Sequence, residues 1–165
     1  MNTLALLAME MIDYDAGDRR RINHFFKVTS YARTIGEKEQ LDESTLFILT
    51  AAALTHDIGI KVSMEKYGNC DGPHQEKEGP PIAEKMLSGL SFDRAVIDRV
   101  CWLIGHHHTY TDVNGIDYQI LIEADFLVNL DEGGASPETI AHVRKTIFKT
   151  KTGLAIFDRL FPTEG

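Results

Sequence analysis

Four side chains of this sequence are of types that hold divalent cations and stand where ionisable groups are disfavoured: His24, His56, Asp57 and Asp125. Residues three, four and seven apart share one side of a helix. By that rule His24 falls with Val28, Tyr31 and Ile35, and His56 falls with Leu46, Leu49 and Ala53. Asp57 stands beside His56 facing Ala53 and Leu54, and Asp125 shares a face with Tyr118, Leu121, Ile122 and Val128. A buried carboxylate without a partner is strongly unfavourable, and no Lys or Arg shares the stripes of Asp57 and Asp125. A divalent metal would supply the missing charge, with two imidazole nitrogens completing a mixed nitrogen and oxygen set. Taken singly, each residue has a plainer reading. A histidine on an apolar face can be a core residue bonded to a carbonyl, and Asp57 can be a cap or a surface charge. Asp125, between Ala124 and Phe126 in mid-helix, has no cap to make, and the joint occurrence of all four points to a metal.

Those positions need helices to converge. Neighbours on a helix diverge by about 100°, so His56 and Asp57 can grip one ion only from a helix terminus or a crossing point. Periodicity predicts helices over residues 3–14, 18–36 (ending on Gly36 as a left-handed cap), 42–59 (opened by Asp42), 81–88, 91–107 (opened by Ser91) and 117–131. Ser136-Pro137 opens a further helix over 137–149, and a last one covers 152–160, both with faces suited to the outside of a bundle. Residues 60–80, with Gly68, Gly72, Pro73, Gly79 and Pro80, read as a long loop, the kind that serves as a lid over a cleft. Strand patterns are confined to short ambiguous runs. The expected fold is an all-α helical bundle, one domain over residues 1–165, with the helices of 137–160 packed on its outside.

Composition limits the function classes. With 165 residues, 43% hydrophobic and 25% charged, the chain fits one folded domain with a sizeable core. The apolar stretch Leu4-Ala5-Leu6-Leu7-Ala8-Met9 lacks a basic leader and is cut short by Glu10 and Asp13, and no other run approaches the roughly 20 apolar residues of a bilayer crossing. Two cysteines, Cys70 and Cys101, form neither a disulfide framework nor a CxxC zinc site, which suits a reducing cytoplasm. A net charge of −8 opposes a stable nucleic-acid complex or attachment to an anionic membrane. The densest basic run, Arg19-Arg20-Arg21, reads as a solvated helix start.

The order of these residues resembles the HD-domain superfamily of metal-dependent phosphohydrolases, whose signature is His, then His-Asp, then a distant Asp. The matching pieces are Asn23-His24-Phe25-Phe26-Lys27-Val28, then Ala51-Ala52-Ala53-Leu54-Thr55-His56-Asp57-Ile58-Gly59, then Glu123-Ala124-Asp125, so that the likeness runs from about Arg20 to Asn129. The resemblance implies a helical bundle in which His24, His56, Asp57 and Asp125 ligate one metal. Some members carry extra histidines for a second metal bridged by the aspartate of the pair. His74 resembles the first of these positions and the triplet His106-His107-His108 the second. Periodicity from Val96, Val100 and Leu103 turns His107 inward, whereas the family spacing favours His106, and either could line the cleft and contact substrate instead. His142 matches no motif and reads as a surface residue.

The implied activity is hydrolysis of a phosphomonoester or phosphoanhydride, a nucleotide being a frequent substrate in the resembling family, through water activated on Mn, Fe, Co, Ni or Zn. Asp57 would lie between two metals if two bind, and His106 or His107 could protonate the leaving group. Lys61, just after the His-Asp turn, and less directly Lys66 are candidates to absorb phosphoryl charge, with solubility as the competing reading of both. Two other classes stay open: a di-iron oxygenase of the same superfamily, and a non-enzymatic metal or nucleotide sensor.

Overall fold

The computed structural model describes residues 3–163 and contains nine α-helices and no strand among them. They are α1 (Thr3–Tyr14), α2 (Arg19–Lys38), α3 (Glu43–Thr55), α4 (Ile60–Tyr67), α5 (Gly72–Gly89), α6 (Arg94–Ile104), α7 (Ile116–Glu132), α8 (Pro137–Thr146) and α9 (Lys151–Leu160). Side-chain caps open five of them. Asp18, Asp42, Asp71, Ser136 and Thr150 each accept a hydrogen bond from the backbone N–H three residues on, satisfying a donor that the first turn leaves orphaned.

Helix α3 is the hub. It is apolar nearly all round, as a helix enclosed by others must be, and Leu49, Ala51, Ala52 and Ala53 are fully buried. The alanine run lets neighbours approach closely, so α3 packs against α1, α2, α6 and α7. Helix α2 lies against both α3 and α7, which brings the three helices carrying His24, His56 and Asp125 together. The stretch Glu43–Tyr67 has the length and a mean hydropathy (1.3) of a membrane span, yet more than half of its apolar window is buried in the bundle and α3 stops at Thr55. It is a core element by position.

Residues 60–80 are not a loop. They hold α4, a left-handed turn at Gly68 (φ 72°) and the first half of α5, which carries Pro80 and Pro81 in its interior. Glycine and proline density reads locally as a breaker, and an interior proline costs roughly 3 kcal/mol, but packing overrides it. Gly79 passes so close to the turn after Asp57 that a Cβ on Gly59 would lie 2.8 Å from the Gly79 nitrogen, while Ala83 and Leu87 bury fully on the same helix. The expected lid is therefore part of the frame. Helix α2 also runs two residues past Gly36, a position where a Cβ would press on Leu46 at 2.9 Å, so this glycine serves close helix contact rather than a cap. Ser91 adopts a left-handed φ of 59°, and Asp93 opens α6 in its place.

Candidate metal centre

His24 projects from the second turn of α2, His56 caps the C-terminus of α3, Asp57 begins the turn into α4, and Asp125 sits in mid-α7. Their polar atoms converge. His24 Nε2 lies 3.2 Å from Asp125 Oδ1 and 3.3 Å from Asp57 Oδ2, and His56 Nε2 lies 3.3 Å from each of the same two oxygens. Donor atoms around one ion with bonds of about 2.0–2.2 Å lie roughly 3.0–3.4 Å apart, so the spacing suits a shared cation. All four residues are at least nine-tenths buried.

The hydrogen bonds of the rings fix which nitrogens point a lone pair into the cluster. His56 Nδ1 donates to the Ala53 carbonyl at 2.8 Å and His107 Nδ1 to the Ile104 carbonyl at 2.8 Å. A carbonyl only accepts, so in the neutral ring each Nε2 keeps a bare lone pair. Both Nε2 atoms are buried without a hydrogen-bond partner. Lone pairs of imidazole and carboxylate cannot rest on one another in a dry interior; a cation or a proton must sit among them. The residues present fit a divalent metal, with two nitrogens and two oxygens on the first cluster.

Asp57 presents its two oxygens to different partners. Oδ2 faces His24 and His56 and accepts from Arg21 Nη1 at 2.5 Å, while Oδ1 lies 3.5 Å from His107 Nε2. Asp57, His107 and His108 form a second group whose ligand atoms all lie within 4.8 Å of one another. Two side chains weighed for this second group stand elsewhere. The His106 ring stacks on Trp102 at 3.9 Å with Nδ1 held 2.6 Å from the Trp102 carbonyl, because α6 ends at Ile104 and the turn swings its neighbour His107 inward. His74 stacks on Tyr67 at 3.9 Å with Nδ1 2.7 Å from Asn69 Oδ1, held by the capping turn of α5. In their stead stands His108, whose Nε2 lies 3.0 Å from Gln75 Oε1 and whose pKa burial lowers to about 4.

Among the basic candidates, Lys61 reaches outward to the Tyr14 carbonyl at 3.2 Å and lines, with Arg21, a cavity of about 350 Å³. Lys66 is tied to Glu78 at 2.7 Å, and His142 is exposed. Arg21 is the basic residue that sequence reasoning passed over. The signal was available, since Arg21 stands three residues before His24 and so on its face, but a run of three arginines reads as solvated.

Without a metal, protons neutralise the cluster. Burial alone would lower the His24 pKa, but hydrogen bonds to Asp125 and Asp57 outweigh it and raise it to about 9. Burial also pushes His56 down, and the charges of Asp57 and Asp125 hold it well above its ordinary value. Burial favours the protonated acid of Asp57, yet the charge of His56 and the close approach of the His107 and His24 rings hold it well below the usual carboxylate range. A folded-state pKa raised above the unfolded value contributes stability that is complete below about pH 6.5 and is lost as pH climbs through the folded pKa. The chelated protein should therefore lose thermal stability between about pH 6.5 and pH 9, and apparent metal affinity should rise over the same window as those protons leave. Calorimetric scans in chelator across that range test this; a flat or rising melting temperature would contradict it.

A family profile for the HD domain matches residues 21–142. Among solved structures, a predicted HD superfamily hydrolase from an uncultured Thermotogales bacterium is 26% identical, with a TM-score of 0.65 over 98% of this chain and 84% of its own. YpgQ of Bacillus subtilis, in its selenomethionine form, shares the fold at a TM-score of 0.66 and 18% identity, over 96% of this chain and 88% of its own. No curated protein matches the sequence. The matched residues include His24, His56, Asp57 and Asp125 and the helices that bring them together, and the chain belongs to the HD domain family of metal-dependent hydrolases.

Proposed function

We propose that the protein is a phosphohydrolase that cleaves a phosphomonoester or phosphoanhydride, nucleotides among them, with a divalent metal held by His24, His56, Asp57 and Asp125. The observation that carries this reading is the meeting of bare imidazole nitrogens with buried carboxylate oxygens, edged by a guanidinium on Asp57. When bound, the metal supplies a water of lowered pKa, near 7, as nucleophile. Around it, Asp57 and Asp125 hold negative charge in fixed positions, and the carbonyls of Ala53 and Ile104 fix the rings of His56 and His107. Arg21 and Lys61 stand on a neighbouring cavity that Asp15, Asp18 and Glu65 also line, and Arg21, which reaches Asp57, is the cation best placed to bind phosphoryl oxygens. Of the two histidines weighed for protonating the leaving group, His107 faces Asp57 with Nε2 and His106 is turned onto Trp102, so His107 is the candidate kept, acting from its protonated ring. We place this activity in one helical domain working in the reducing cytoplasm, where the free Cys70 and Cys101 persist.

The second group, Asp57 with His107 and His108, favours one other reading, a di-iron oxygenase. Elemental analysis of purified protein, paired with phosphate release from a nucleotide panel with added Mn, Fe, Co, Ni or Zn, separates the two. Phosphate release under argon supports the hydrolase, while iron content with oxygen uptake and no phosphate release supports the oxygenase. For the hydrolase, Arg21→Ala is expected to lower kcat/KM about 10²-fold, as loss of one charge-stabilising donor does. An unchanged kcat/KM would remove Arg21 from substrate binding.

A further inference from the structure

His24 meets a difficulty that His56 and His107 do not. Those two stand at helix C-termini, where the last carbonyls have no intrahelical partner, and each ring donates its Nδ1–H to one of them at 2.8 Å. His24 stands inside α2, away from the open carbonyls of a helix end. Its acceptor comes from another element. Glu132, the last residue of α7, provides it, with Oε2 3.1 Å from His24 Nδ1, while Lys27, one turn beyond His24, holds Oε1 at 3.4 Å.

Helix α7 delivers this acceptor on the stripe that carries Asp125. Asp125, Asn129 and Glu132 follow at intervals of four and three, and Asn129 Nδ2 donates to Asp125 Oδ1 at 2.9 Å. A carboxylate at a helix C-terminus is disfavoured by the helix dipole, so Glu132 contributes little to α7 itself. Its worth lies across the gap, on α2.

We propose that Glu132 is a positioning residue for the metal centre, holding His24 in the Nδ1–H tautomer so that Nε2 faces Asp57 and Asp125 with its lone pair. The proposal rests on the reading of His24 as a ligand. A carboxylate behind a ligating histidine fixes its ring and raises its basicity, and losing such a partner typically weakens metal binding 10–100-fold.

The test uses full-length wild type, Glu132→Ala and Glu132→Gln, stripped of metal and titrated with Zn and Co against a chromophoric chelator. Glu132→Ala should bind each ion about 10–100-fold more weakly, with its metal-free form still folded and melting only a few degrees below wild type, since one buried donor, His24 Nδ1–H, loses its acceptor. Glu132→Gln should recover most of the affinity, since its amide oxygen still accepts from Nδ1. If wild type binds and Glu132→Ala binds equally well, the positioning role is wrong and the metal centre stands. If Glu132→Gln falls as far as Glu132→Ala, hydrogen-bond acceptance is not what Glu132 provides and the proposal fails. If wild type takes up neither ion, the proposal falls together with the metal reading beneath it.

Discussion

Replacing Asp57 with alanine is expected to abolish metal retention and turnover together while leaving the helical content intact. Its Oδ2 lies 3.3 Å from both His24 and His56 Nε2, and its Oδ1 lies 3.5 Å from His107 Nε2, so one side chain touches every imidazole of the inner cluster. Metal affinity should fall by more than the 10–100-fold typical of an outer partner, and phosphate release should drop to background. The change also strands Arg21 from the carboxylate it bonds and leaves Asp125 as the one carboxylate shared by the Nε2 atoms of His24 and His56. Removing one member of a buried ion pair costs about 3–5 kcal/mol, so the metal-free variant should melt earlier than metal-free wild type. Elemental analysis, phosphate release and far-ultraviolet circular dichroism check the three parts. Full turnover by metal-stripped Asp57→Ala protein would overturn the assignment of the site.

The largest loss of stability away from the centre is expected at Glu123. This carboxylate is fully buried and no Lys or Arg side chain bonds to it. It is held by four donors: Gln119 Nε2, the backbone N–H groups of Lys149 and Thr150, and the Thr150 hydroxyl, at 2.6–2.9 Å. Through them α7 fastens the turn between α8 and α9. Glu123→Ala orphans buried donors at about 1–3 kcal/mol each, and a total of roughly 3–6 kcal/mol lowers the melting temperature by about 10–20 °C in a chain of this size. Gly153→Ala should give a similar loss from the opposite side, because its Cβ would lie 2.0 Å from Glu123 Oε2. Glu123 points about 200° around the helix from Asp125, so metal affinity measured well below the melting point should change less than about threefold. A melting temperature within a few degrees of wild type would show that the donors find other partners.

How far the sequence carried the site depended on whether a residue's setting was local. His24, His56, Asp57 and Asp125 stood out because each breaks an apolar stripe of its own helix, which periodicity reveals. The all-α bundle followed from the same pattern, and α1 spans the residues that periodicity assigned to it. Tertiary contacts with no local trace explain the rest. Residues 60–80 contain α4 and half of α5 because α5 packs on α4 and α6, a benefit that Pro80 and Pro81 do not advertise. His106 and His107 could not be told apart until the end of α6 was fixed at Ile104, and His108 entered the site only through that turn. Glu132 and Glu123 find their partners 108 residues earlier and 26–27 residues later, where no spacing rule reaches.

The main-chain acceptors behind His56 and His107 make the centre's tolerance to genetic drift lopsided. Every amino acid supplies a carbonyl, so the acceptors behind His56 and His107 do not depend on the chemical type of the side chains at positions 53 and 104, where core packing alone sets the limit on size. On the α2 side the aim hangs on a single replaceable side chain at position 132. Substitutions that detune the metal without unfolding the protein will therefore gather along α2 and the end of α7.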